Sequence, residues 1–135
     1  MKTSFDIEDE LYEIFAKSPL AQAVDGEIYK GPDERPDDSQ KEDIEIIVIG
    51  NQNGQIQNST ISLNIYTRDE LDGNKYRRNK PRMQELASMV EAMFRQAINV
   101  AGYRITLGSQ GAYPEHKVNQ HYVNFKLYYN YYNRQ

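Results

Sequence analysis

The sequence predicts an α+β fold, a mainly antiparallel sheet packed against a long helix and an N-terminal helix, in a single domain over residues 1–135. Three observations carry this. Ile61, Leu63 and Ile65 alternate with Ser62, Asn64 and Tyr66, the period-two pattern of a strand with one buried face and one open face. Leu86, Met89, Val90, Met93, Phe94, Ala97 and Ile98 recur at helical spacing and mark one apolar face. The elements follow one another as helix, strand, hairpin, long helix and two further strands, an order that suits an antiparallel sheet covered by helices.

From Phe5 to Lys17, the apolar residues Ile7, Leu11, Ile14 and Phe15 repeat every three or four positions, with Ser4 or Asp6 as N-cap and acids in the first turn. This is an amphipathic helix. Ser18-Pro19 opens a short helical turn that Asp25-Gly26 ends, and Glu27 to Lys30 reads as a short strand. Residues 31–43 hold two prolines, six acids and no aliphatic or aromatic anchor, so a solvated loop is expected, long enough to serve as a binding arm. Ile44 to Ile49 forms a strand, Asn51-Gln52-Asn53-Gly54 the hairpin turn, and the return strand runs to about Thr67. A second polar excursion covers residues 68–80. Pro81 then starts the principal helix, expected to run to about Ala101 and to end by Gly102. Tyr103 to Leu107 is a strand, Gly108 to Gln120 a loop, and His121 to Tyr132 the closing strand. In that strand Val123, Phe125, Leu127, Tyr129 and Tyr131 share one side, while Tyr122, Asn124, Lys126, Tyr128, Asn130 and Tyr132 share the other.

A chain of this length buries roughly two-thirds of its unfolded surface in one core. It has no cysteine, which excludes disulfides and thiolate metal sites. The acidic start lacks the basic residues and apolar run of an export signal, and the longest aliphatic run is Ile46 to Ile49, so a soluble protein with no membrane span is expected. Asn58-Ser59-Thr60 matches the glycosylation sequon, a chance match in a polar turn. Charge is unevenly spread. Residues 1–50 carry 5 Lys/Arg against 14 Asp/Glu, a net of −9, and residues 51–135 carry 11 against 6, a net of +5. If the two halves lie on different faces, copies can stack head to tail; if they interleave, the field cancels.

No catalytic, cofactor-binding or metal-binding set is expected. His116 and His121 are five apart across a loop-to-strand boundary, which matches no zinc pattern. Asp43 and Glu45 resemble the acid pair of a metal-dependent hydrolase, with His121 as a third member, but Ile47 stands where such a site carries lysine. Lys75, Arg77, Arg78, Lys80 and Arg82 surround Tyr76, a basic-aromatic cluster able to contact phosphates and stack a base, or to pair with acids of a neighbouring copy. The expected interface residues are therefore Asp33, Glu34, Arg35, Asp37 and Asp38 in the first arm, Lys75, Tyr76, Arg77, Arg78 and Lys80 in the second, and the outward Tyr128 and Tyr132.

The succession of an N-terminal helix, Gly26-Glu27-Ile28-Tyr29, a proline-containing acidic loop, Glu42-Asp43-Ile44-Glu45-Ile46, and Asn64-Ile65-Tyr66 before a charged loop and a long helix resembles the tail-terminator and tail-completion proteins of long-tailed bacteriophages and prophages. The resemblance spans most of the chain and is one of layout and character. It implies a non-enzymatic virion protein, assembled in the bacterial host cytoplasm. Its partners would be other copies of itself in a ring homo-oligomer, expected to be a hexamer, and the phage tail-tube and head-connector proteins. DNA would be met only in passage through the lumen. The station stays open among terminator, neck and head-completion roles. The alternative is a nucleic-acid-associated module using the basic loop 75–82.

Overall fold

Thr3 starts the first helix by accepting the Asp6 amide on its hydroxyl while the Asp6 carboxylate accepts the Thr3 amide, a reciprocal cap. In the computed structural model, which describes residues 2–52, 56–100 and 102–132 (main chain only at 52, 56, 131 and 132), this helix α1 spans Ser4–Ala16. Ile7, Leu11 and Phe15 form its fully buried face. Ser18 caps α2 (Pro19–Ala23), which leads to β1 (Ile28–Lys30), β2 (Ile44–Gln52), β3 (Ile56–Arg68), β4 (Glu70–Asp72), β5 (Lys75–Arg77), α3 (Lys80–Met93), β6 (Ile98–Val100), β7 (Tyr103–Glu115) and β8 (Gln120–Tyr132).

Six strands form one curled sheet in the order β1-β2-β3-β8-β7-β6, antiparallel except for the parallel β1–β2 pair, and the fold is α+β as the sequence predicts. Register stacks the core in rows: Ile44, Ile65 and Val123 lie side by side, as do Ile46, Leu63 and Phe125. Helices α1 and α3 cover this face. Leu86 and Val90 of α3 are fully buried in it, and Phe15 meets Phe94 with ring centroids 6.1 Å apart, joining the ends of the two helices. Each such side chain contributes roughly 1.5–3 kcal/mol by leaving water.

Four expectations need correction. The long helix ends at Met93, not near Ala101, because Ile98-Asn99-Val100 pairs with β7 as an edge strand, which suits its β-branched residues. The span 108–120 is not a loop: β7 continues to Glu115, absorbing Gly108 and Ser109 in a bulge between Leu107 and Gln110, and Pro114 still pairs with His121. Residues 68–80 are structured by the β4–β5 hairpin. The first arm is not wholly solvated, since Arg35 is buried. The Asn53-Gly54 turn lies outside the described residues. A second bulge falls between Val48 and Gly50, leaving Ile49 exposed.

Candidate functional site

On the sheet face away from α1 and α3, strand alternation turns Glu45, Ser62, Asn64, Tyr66, Tyr122, Asn124 and Lys126 outward. They are wired together. The Glu45 carboxylate accepts from Asn64 Nδ2 and the Tyr66 hydroxyl, both at 3.0 Å, and Asn124 Nδ2 donates to Ser62 Oγ at 2.6 Å and to Asn64 Oδ1 at 2.7 Å. Burial, with the Glu45 carboxylate beside it, pushes the Tyr66 phenol well above its ordinary value.

The first arm is pinned to the sheet by Arg35. Its Nε donates to Asp43 Oδ2 at 2.9 Å, its Nη2 donates to Gln120 Oε1 at 2.7 Å and the Ser39 carbonyl at 3.3 Å, and its guanidinium lies 3.6 Å from the Tyr66 ring centroid. Asp43 is also held by the Glu27 amide at 3.0 Å, an approach possible because residue 26 is glycine: a Cβ there would stand 2.3 Å from Asp43 Oδ1. Arg35, expected at an interface, is therefore an internal clamp. Arg82, grouped with the basic cluster by sequence, is likewise internal. Its Nε and Nη2 reach the two Glu42 oxygens at 2.7 and 2.8 Å, and the Glu42 carboxylate holds the guanidinium above its ordinary value.

The second arm differs. Strands β4 and β5 pair with each other and form a sheet separate from the large one, turning at Gly73 with φ +65°. Leu71 and Tyr76 face each other across the hairpin and are 61% and 49% exposed. Arg77 pairs with Asp72 at 2.9 Å, while among the described residues Lys75, Arg78 and Lys80 form no salt bridge.

A groove of about 510 Å³ runs along the outer side of β1, between α1 and the turn at residues 31–34. Its apolar lining is Phe5, Ile28 and Pro32, with Phe5 72% exposed, and its acids are Glu8, Asp9, Asp33 and Glu34. Lys30 answers Asp9 at 2.9 Å. Desolvation, then Asp9 and Glu34 nearby, push the Glu8 carboxyl above its usual value.

The other expected residues fall as follows. Asp37 and Asp38 are exposed, Asp37 pairing with Lys117 at 3.1 Å; Tyr128 is exposed on the open sheet face; the Tyr132 side chain lies outside the described residues. Asp33 and Glu34 come together in the groove and Lys75 to Arg78 on the hairpin, two separate surfaces. Phe5, Glu8 and Leu71 were missed by sequence reasoning. Phe5 sits off the Ile7-Leu11-Phe15 stripe, a signal of outward exposure, and Gly73-Asn74 is a hairpin dipeptide that the surrounding charges masked.

No protein-family model and no curated protein matches the chain. Glu45 lies on the face away from the helices and Asp43, just before β2, is buried against Arg35, whereas His121 shares the side of Val123 and holds Asp69 Oδ1 at 2.7 Å through Nδ1, so the three form no metal-binding group. Among the described residues no group of three or more His, Cys, Asp or Glu side chains is placed to hold a metal ion, and no helix is long and apolar enough to cross a membrane.

Proposed function

We propose that the chain is a structural subunit that assembles with its own copies into a ring at the end of a phage tail tube and joins that tube to the head connector. The carrying observation is the β4–β5 hairpin, a charged arm with an uncovered Leu71–Tyr76 pair, separate from the sheet that forms the core. Exposed apolar pairs on a projecting element favour a protein partner. The ring and the tube come from the resemblance of the chain's layout to tail-terminator and tail-completion proteins. In this reading the host cytoplasm is the place of assembly and the virion the destination.

Purified protein, incubated with tail tubes lacking their end protein and imaged by electron microscopy, is expected to cap one end as an annulus. Failure to bind tube ends, with no oligomer by mass photometry at micromolar protein in low salt, overturns the proposal. Retention on DNA with a steep salt dependence that is lost in Arg77→Ala/Arg78→Ala would favour the nucleic-acid module instead.

A further inference from the structure

Resting on the self-assembly reading above, we infer that the β4–β5 hairpin of one copy docks into the groove between α1 and the 31–34 turn of the next copy. Both surfaces are bare in the single chain. The hairpin offers the Leu71–Tyr76 pair, and the groove offers Phe5, Ile28 and Pro32 as its floor and wall. Each is an apolar strip edged by charge, of opposite sign. Residues 70–80 carry Lys75, Arg77, Arg78 and Lys80 against Glu70 and Asp72, whereas the groove carries Glu8, Asp9, Asp33 and Glu34 against Lys30.

The electrostatics of the groove call for a cation from outside. Among the described residues, Glu8, Asp33 and Glu34 form no salt bridge, so the groove gathers four acids against the single cation of Lys30. An arriving Lys75 or Arg78 relieves this repulsion, while Tyr76 covers Phe5. The two surfaces differ, so the contact is heterologous: every copy gives one arm and receives one. The hairpin leaves the sheet where β3 ends, and the groove lies along the edge strand β1, two strands away. Such a pairing propagates from copy to copy and, where the rotation between copies closes, makes a ring, the arrangement a tube cap requires.

The chain has no cysteine, which gives a clean background for cross-linking. Phe5→Cys and Tyr76→Cys proteins, each made as the full chain, are mixed and oxidised in low salt. A disulfide-linked heterodimer is expected only in the mixture, in excess over the homodimers each variant gives alone. In parallel, Arg77→Glu/Arg78→Glu and Asp33→Lys/Glu34→Lys are each expected to raise the concentration of half-assembly at least about tenfold, and the four changes in one chain to restore it. Circular dichroism confirms that each variant is folded before assembly is scored. A wild-type chain that assembles while the swaps have no effect, or while the combined variant is not rescued, overturns this docking but leaves self-assembly intact. A wild-type chain that stays monomeric throughout the micromolar range overturns both.

Discussion

The two arms, residues 31–43 and 68–80, are both rich in charge and turn-forming residues, yet they meet opposite fates. The first is welded to the sheet through Arg35, Asp43 and Gln120, whereas the second is held at its base, where Asp69 meets His121 and Arg68 meets Asp25, and its hairpin then folds upon itself and leaves Leu71 and Tyr76 in water. What separates them is the position of one partner. Asp43 stands at the start of a buried strand, so the arm that carries its counter-ion is drawn down with it; the acid that pairs with Arg77, Asp72, lies within the hairpin itself, and that pairing anchors nothing else. Charge content does not decide whether a loop is free. The location of the counter-charge does.

The strongest way to break this contrast is Arg35→Ala. It leaves a fully buried Asp43 without its cation, and urea denaturation is expected to show a loss of about 3–5 kcal/mol. An effect no larger than that of a surface mutation would mean the first arm is held by something else. Arg82→Ala is next, since it releases Glu42 and the carbonyl of Ala23 at a partly exposed site, with an expected loss of about 1–3 kcal/mol.

Tyr66→Phe sharpens the picture by pH. The folded-state phenols of Tyr66, Tyr103 and Tyr122 are raised above the ordinary 10.0, mainly by burial, so the unfolded chain ionises first. Their contribution to stability is therefore fully present below about pH 10 and is lost as pH climbs through the raised values. The variant is expected to cost about 1 kcal/mol at neutral pH and to make the alkaline decline of the melting temperature shallower. The smallest change is expected from Arg77→Ala/Arg78→Ala, within about 0.5 kcal/mol of wild type by the same denaturation assay. A large loss there would show that the second arm supports the fold.

Much of this architecture is written in local pattern. The 3.6-residue spacing of Ile7, Leu11 and Phe15 and the alternation along Ile61 to Ile65 and Val123 to Tyr129 place one helix, two strands and half of the core. What is hidden depends on partners distant in the chain. Gly108, Gly111 and Pro114 read as loop residues, yet pairing with β8 along 11 positions holds them in a strand. Ile98 continues the helical stripe in sequence but is claimed by β7. Arg35 looks solvated because its acceptors, Asp43 and Gln120, are 8 and 85 residues away. The candidate surfaces were half legible: the cations of the hairpin stand out as a run, whereas the groove joins Phe5 and Glu8 to Asp33 and Glu34 only through folding.

The rims of the large sheet limit one route by which chains pair, strand against strand. Each edge strand, β1 and β6, has three residues, and beyond them the outer margins of β2 and β7 are kinked by the irregularities at Val48/Gly50 and Leu107/Gln110, with Pro114 lacking an amide to offer. Among the described residues a neighbour therefore finds no uninterrupted ladder of backbone groups on which to continue the pleat, which frustrates growth into an endless ribbon. In the docking proposed above, recognition falls instead to side chains on the β4–β5 hairpin, a contact that each molecule would give once and receive once.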